Sequence, residues 1–445
     1  MDFTAIILAA GKGTRMKSSL PKPLHRVGGH PMLGWSIDAA RVAGATRTIA
    51  VLAPGSDDIL HWLDDTDIAI QQKQLGTGNA VAAARDAVGM DDGIAIVMFA
   101  DTPLVRADSI AALVSKVADG AAVAVAAFEP VDPTGYGRLV QGPNGIIESI
   151  VEEREASEAQ KKINLCNGGI MAAKTPLLFH LLDRVTNDNA RGEYYLTDII
   201  AHASAGGHRV AHNIIDETEI LGVNDRVDLA AAEAALQSRL RITAMQQGVT
   251  MVAPDTVFIA ADAVIESDVI IEPHVVIGSG CHIGEGSIIR AFSHLEGTRL
   301  GACCIIGPYA RLRPGTDAGD GVKVGNFVEI KKTKLGDGAK ANHLTYLGDA
   351  TIGAAANIGA GTITCNYDGF GKYETLIGDG AFIGSNTALV APVTIGARAI
   401  IGAGSTITRD VGPDSIAVER AHTSEREGAA AKFRETRENK TKPGS

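Results

Sequence analysis

Residues 377–407 read IGDGAFIGSNTALVAPVTIGARAIIGAGSTI, and within them Ile377, Ile383, Leu389, Ile395, Ile401 and Ile407 recur every six residues without a slip. Ile277, Ile283 and Ile289 keep the same spacing earlier, as do the pairs Val324 and Ile330, and Ile352 and Ile358. Glycine commonly follows the marked residue, as in Ile283-Gly284, Ile306-Gly307, Ile358-Gly359 and Ile401-Gly402. A period of six is neither helical nor a heptad. It fits a parallel β-helix, in which each short strand sends one aliphatic side chain inward and turns at a small residue. A disordered glycine-rich segment would not hold aliphatics in register. Irregularities near Ala291–Thr298 and Thr364–Thr375 predict loops leaving the coil.

Working outward, the repeats begin after Gly248. Just before them, residues 226–247 (RVDLAAAEAALQSRLRITAMQQ) are alanine-rich and free of glycine and proline. Leu229, Ala232, Leu236, Leu240 and Ala244 approximate a helical stripe, which predicts a connecting helix. Residues 1 to about 225 follow a third grammar. Apolar runs of strand length (Ala5–Ala9, Thr48–Ala53, Gly93–Phe99, Ala121–Phe128) alternate with helical patterns such as Gly78–Val88 and Ser109–Ala118. Strands apolar on both faces and separated by helices predict a mainly parallel sheet covered on both sides. Ligands of such folds sit at the carboxyl ends of the strands. After about Glu425 the chain is charged, ends in Lys-Pro-Gly-Ser, and reads as a mobile tail.

Bulk composition agrees with this division. The 445 residues exceed what one core usually serves. Aromatics at 4% and 51 glycines favour a repetitive small-residue architecture. The formal charge of −11 argues against nucleic-acid and anionic-membrane partners, so any phosphate-bearing ligand must meet local positive sites. The five cysteines show no metal-ligand spacing and are expected to be reduced. The apolar start, Phe3 to Ala10, is too short to span a bilayer, lacks a basic leader, and reads as a buried strand. Together these features predict a cytoplasmic enzyme or binding protein.

That first strand leads into Leu8-Ala9-Ala10-Gly11-Lys12-Gly13-Thr14-Arg15-Met16, followed by Leu20-Pro21-Lys22-Pro23-Leu24. A glycine turn after a strand lets backbone N–H groups approach phosphate oxygens. Arg15 and Lys22 add positive charge where a transferred phosphoryl group carries negative charge. The string is neither GxGxxG nor GxxxxGK[ST]. It resembles the signature of the sugar-1-phosphate nucleotidyltransferase family, LAAGxGTRM with a downstream PKP-like lysine. Within that family the whole chain is similar to the bifunctional N-acetylglucosamine-1-phosphate uridyltransferase/glucosamine-1-phosphate acetyltransferases.

The resemblance implies a Rossmann-like nucleotidyltransferase domain (1–225), a linker helix (226–247), a left-handed β-helix acetyltransferase domain (248–424) and the charged tail (425–445). It implies UTP and sugar contacts at Leu8, Ala9, Gly11, Lys22, Gln71, Gly76, Thr77, Gly137, Glu152, Asn167 and Asn224. Asp101 and Asn224 become the ligands of Mg²⁺, a hard cation suited to a carboxylate and a carbonyl oxygen. A lone aspartate after a strand is more often a helix cap; the matching loop reverses that reading. Lys22 and Arg15 take catalytic roles in the attack of sugar-1-phosphate on the α-phosphorus of UTP, where positioning and charge neutralisation carry most of the rate. The chain departs from the family at Phe99-Ala100, where Tyr-Gly is usual, and at Gly168, where threonine is usual. Ala100 is expected to narrow close approach of ligand to backbone, and Phe99 lacks a phenol able to hydrogen-bond.

In the repeat region a polar cluster interrupts a scaffold that needs only aliphatics and glycine: Arg311-Leu312-Arg313, Val324-Gly325-Asn326-Phe327, Asn342-His343-Leu344-Thr345-Tyr346 and Asn357 to Gly369. Basic, amide, phenol and imidazole groups recurring within a few coils favour a site. Amine acetylation needs a base active near neutral pH, donors to an oxyanion and cations for a phosphate. By resemblance His343 is the general base. Arg313, Lys331, Tyr346 and Asn357 would bind glucosamine-1-phosphate, and Ala360, Asn366, Tyr367, Ser385, Ala403 and Arg420 would contact acetyl-CoA. The family also implies a homotrimer and a product, UDP-N-acetylglucosamine, used in peptidoglycan and lipopolysaccharide synthesis. The competing reading is a sugar nucleotidyltransferase whose β-helix only assembles it.

Overall fold

A computed structural model describes residues 2–143, 145–189 and 191–441. The chain divides into two compact units, the first running to Thr243 with Ile259–Ala261 and the second holding the remainder.

In the first unit the central sheet is ordered Val210–Ile214, Val123–Phe128, Cys166–Lys174, Ile94–Phe99, Phe3–Leu8, Ala45–Leu52, Asp67–Ile70. Every neighbour in that path is parallel except Cys166–Lys174, which runs against both its partners. Alternate residues of each strand face opposite sides. Ala5, Ile7, Ala50 and Leu52 enter one apolar cluster, while Ile6, Ile49 and Val51 enter the other. Both faces are therefore buried, which explains the uninterrupted apolar runs. The antiparallel strand was not legible, because Asn167-Gly168-Gly169 breaks its pattern. The helical stretch predicted over 78–88 is two short helices, Thr77–Ala83 and Arg85–Val88. The helix Arg226–Gln246 lays Ala232 and Leu236 into a third cluster with Met16, Val27, Met32 and Val223, so its stripe packs against this unit.

The second unit is a coil of short parallel strands in a ten-stranded and a fifteen-stranded sheet. Ile277, Ile283, Ile289, Ile377, Ile383, Leu389, Ile395, Ile401 and Ile407 are all buried, each contributing roughly 1.5–3 kcal/mol of apolar transfer. Strand Glu329–Leu335 pairs with Arg311–Leu312 near one end and Thr316–Ala318 at the other, joining two faces into the larger sheet. Ile271 pairs with Ile289, eighteen residues on, but Ile283 pairs with Leu300, only seventeen on. The irregularity at 291–298 is thus a rung one residue short, not the loop expected there. The second irregularity does leave the coil. Ile352 pairs with Ile377, twenty-five residues on, and the excess forms an excursion closed by an antiparallel bridge between Tyr367 and Lys372.

The tail holds a helix, Ala429–Thr441, whose described side chains stand exposed; Lys-Pro-Gly-Ser lies outside the described residues. All five cysteines are free. Among the described residues no helix is long and apolar enough to cross a membrane.

Candidate functional site

The first site opens at the carboxyl ends of four parallel strands, where Phe3–Leu8, Ala45–Leu52, Asp67–Ile70 and Ile94–Phe99 stop. A cavity of about 340 Å³ is lined by Leu8, Gly11, Lys12, Gln71, Gln74, Gly76, Thr77, Phe99 and Asp101, among others. Gln74 Nε2 donates to the Ala10 carbonyl at 2.6 Å, fixing the glycine loop. Gln71 is buried and donates to the Gly76 carbonyl and to Asn79 Oδ1, which fixes its amide. Ala9 does not line this cavity: its side chain is buried and its N–H is committed to the Val51 carbonyl. Gly76 adopts a left-handed φ of 107° with its α-carbon against the backbone of Tyr194, where an added Cβ would meet the carbonyl oxygen at 2.6 Å. Tyr194 N–H donates to the Leu75 carbonyl and Gly78 N–H to the Tyr194 carbonyl, each at 2.8 Å.

A cation sits at the floor of the site. Lys22 Nζ lies 2.6 Å from Asp101 Oδ2 and 3.3 Å from Asn224 Oδ1, while Arg15 Nη2 reaches the same Asn224 oxygen at 2.9 Å. The Asp101 carbonyl accepts from Val223 N–H, bringing the two distant segments together. Two hard oxygens that already converge on one ammonium fit a divalent cation. Among the described residues no group of three or more His, Cys, Asp or Glu does so. The protein would supply these two oxygens, with phosphate and water oxygens completing the shell as Mg²⁺ prefers.

Next to it lies a second cavity of about 480 Å³, sharing Thr77, Phe99 and Glu193 with the first and adding Glu152, Asn167, Arg191 and Tyr195. Gly137 belongs to this corner: its carbonyl accepts from Asn167 N–H at 2.8 Å, and a Cβ there would lie 3.7 Å from Glu152. Burial, reinforced by Glu155, raises the Glu152 carboxyl above its ordinary range, and burial does the same to Asp198 nearby. Phe99 stands at the seam of both cavities. Ala100, by contrast, is 2% exposed and packs in the core, so it narrows neither cavity as expected. Gly168 likewise faces Ala126 and Ile220 rather than the cavity.

Four of the residues predicted on the repeats, His343, Ala360, Ser385 and Ala403, share one corner of the coil. Strand registers place Asn326 beside His343, and counting two residues past the paired Ile358, Ile383 and Ile401 continues the column through Ala360, Ser385 and Ala403. Backbone bonds follow it rung by rung: Leu344 N–H to the Asn326 carbonyl, Gly361 to His343, Asn386 to Ala360 and Gly404 to Ser385. The residue after each member turns the corner in the left-handed region, as at Phe327, Leu344 and Asn386. Arg420 Nη1 donates to the Ala403 carbonyl at 2.7 Å. His343, Ser385 and Ala403 are exposed, leaving an open track of small residues beside an imidazole.

Around the corner from His343, Arg313 pairs with Glu329 at 2.8 Å. Among the described residues no carboxylate pairs with Lys331 in this way. Lys372 foremost, then Arg313, hold its ammonium below the usual lysine range, because like charges crowd it. Lys372 was missed in the sequence. Its only signal is the broken period that places it in the excursion. Tyr346 and Asn366 flank Gly348, and Asn366 Nδ2 donates to Asp349. Tyr367 Oη donates to the Gly369 carbonyl. Asn357 and Tyr346 belong to different sheets of the coil: Asn357 pairs with Lys340 on the ten-stranded sheet, whereas Tyr346 opens a strand of the other.

A nucleotidyltransferase domain followed by a hexapeptide-repeat transferase coil is the class this architecture defines. The MobA-like NTP transferase domain model matches residues 5–163, and the bacterial transferase hexapeptide model matches residues 262–297 and 374–409. The chain is 52% identical over 438 residues to the "Bifunctional protein GlmU" of Acidiphilium cryptum, covering 98% of this chain and 99% of that one. The protein of the same name from Xanthobacter autotrophicus is 52% identical, with 98% of each chain covered. That from Zymomonas mobilis is 47% identical, with 98% and 99% covered. The chain belongs to the bifunctional GlmU family.

Proposed function

We propose that the protein makes UDP-N-acetylglucosamine in two steps, acetylating glucosamine-1-phosphate on the coil and uridylylating the product in the sheet domain. In the first step the sugar amine attacks the thioester carbonyl of acetyl-CoA. His343 takes the amine proton, the C–S bond breaks, and CoA leaves as its thiol. Arg313, Lys331 and Lys372 hold the sugar's phosphate, with Tyr346 and Asn357 on the sugar. Ala360, Asn366, Tyr367, Ser385, Ala403 and Arg420 bind acetyl-CoA. In the second step a phosphate oxygen of N-acetylglucosamine-1-phosphate attacks the α-phosphorus of UTP and pyrophosphate departs. The loop Gly11–Lys22 with Gln71, Gly76 and Thr77 holds the nucleotide, and Gly137, Glu152 and Asn167 hold the sugar. Lys22 and Arg15 neutralise developing charge. Mg²⁺ on Asp101 and Asn224 would supply further neutralisation of the phosphates. We place the enzyme in the cytoplasm as a homotrimer.

The observation that carries this reading is the column through His343. An assembly scaffold has no use for an imidazole aligned with a track of small residues, or for Lys331, Lys372 and Arg313 crowded together on the same coil. The test follows CoA thiol and pyrophosphate separately in purified protein given glucosamine-1-phosphate, acetyl-CoA, UTP and Mg²⁺. Release of both, with pyrophosphate dependent on prior acetylation, supports the reading. Pyrophosphate from pre-acetylated sugar without any thiol release rejects it in favour of a non-catalytic coil.

A further inference from the structure

We infer that Asn326 is a positioning residue for acetyl transfer, its side-chain oxygen holding the His343 ring so that Nε2 is the basic nitrogen. The inference rests on His343 being the base, as proposed above. The His343 Nδ1 to Asn326 Oδ1 distance is 3.0 Å. A carboxamide oxygen only accepts, so Nδ1 must carry the hydrogen and the free lone pair falls on Nε2. A neutral histidine left without this partner divides between two tautomers and several ring orientations.

The backbone enforces the pairing. Asn326 and His343 are in register on adjacent strands, and Leu344 N–H donates to the Asn326 carbonyl at 3.0 Å. Just before Asn326 the rungs pack closely enough that a methyl group at Gly325 would collide with the carbonyl of Asn342. The His343 carbonyl is itself held by the Thr345 hydroxyl at 2.7 Å. Along the column Asn326 is the rung on one side of His343, while Ala360, Ser385 and Ala403 continue on the other. The amide therefore occupies the side opposite the open track, where it orients the ring without obstructing it. Glu329, on the strand after Asn326, is paired with Arg313, and the ring's hydrogen-bond partner is Asn326.

The test compares Asn326→Ala, Asn326→Asp and His343→Ala in the full-length protein, with kcat and KM of acetyl transfer measured across pH. Asn326→Ala should lower kcat by ~10–100-fold with KM for both substrates retained, as loss of a ring-orienting partner does elsewhere. Asn326→Asp keeps an acceptor and adds charge. It should recover most of the lost kcat and move the acidic limb of the profile upward by roughly one pH unit, since a nearby carboxylate favours the imidazolium. A wild-type kcat in Asn326→Ala overturns the inference. So does an Asn326→Asp variant as slow as the alanine with its acidic limb unmoved. Retained KM values separate lost orientation from an unravelled coil, and the aspartate variant carries the test if the alanine variant fails to fold. Acetyl transfer surviving in His343→Ala would instead overturn the base assignment beneath it.

Discussion

Lys22 and Asp101 are separated by 79 residues in the chain, yet their charged atoms stand 2.6 Å apart, with Asn224, 202 residues beyond Lys22, closing the group. The Lys22 side chain is 11% exposed, so its charge is poorly screened where it meets Asp101 and Asn224. Replacing Lys22 by alanine is expected to slow uridylyl transfer by ~10²–10³-fold, the scale of one lost transition-state donor. Acetyl transfer by the same preparation should be unchanged. Pyrophosphate release and thiol release from one sample decide it.

Gly76→Ala tests the close approach between the nucleotide loop and Tyr194. The substitution needs φ near 107° and places its methyl 2.6 Å from one backbone atom and 2.8 Å from another, neither of which is free to swing away. Strain of this kind costs about 1–3 kcal/mol. UTP affinity should fall together with stability of the sheet domain, read by equilibrium binding and thermal melting. A variant binding UTP normally would show that the loop moves independently of Tyr194.

Glu152→Gln addresses the half-buried carboxyl of the second cavity, proposed above to hold the sugar. Its pKa is raised in the folded state by burial and Glu155, so folding favours the protonated form. Stability then falls as pH climbs from the ordinary carboxylate range through the raised value, because the native state holds the extra proton there. Glutamine removes that penalty. The variant should melt higher than wild type near neutral pH and converge with it in acid, while losing affinity for the sugar phosphate. Melting curves over pH show whether the two lines meet.

Lys372→Ala should raise KM for glucosamine-1-phosphate roughly tenfold, the worth of one charge-assisted hydrogen bond, with little change in kcat. Added salt should narrow the difference. It should also relieve the crowding that depresses Lys331, whose ammonium would return toward the usual lysine range. An unchanged KM would remove Lys372 from the phosphate site.

The six-residue period exposed the coil because burying one aliphatic per short strand leaves an unambiguous trace, as at Ile377 to Ile407. The sheet was readable where strands are apolar on both faces. It was not readable at Cys166–Lys174, where Asn167 and Gly169 line the second cavity and Gly168 packs against Ala126 at the expense of pattern. The family resemblance pointed Ala100 toward ligand and the structure turned it into the core, since a strand end shows no alternation by which to judge its facing. Asn326 and Lys372 were hidden for a different reason. Their partners lie one rung or one excursion away, and a short rung such as that at Leu300 shifts the count on which such pairings depend.

The twenty-five-residue step between Ile352 and Ile377 has one further consequence. All its surplus is extruded after Ala360 and before Ser385, and these two remain adjacent on the corner through the Asn386 to Ala360 hydrogen bond. With parallel strands ~4.8 Å apart, the track from Asn326 to Ala403 keeps a fixed pitch whatever the length of the extruded segment. The excursion behaves as an exchangeable cassette on a ruled scale. Its residues, Lys372 and Tyr367 among them, are open to revision, while the rungs that carry His343, Ala360, Ser385 and Ala403 stay where they are.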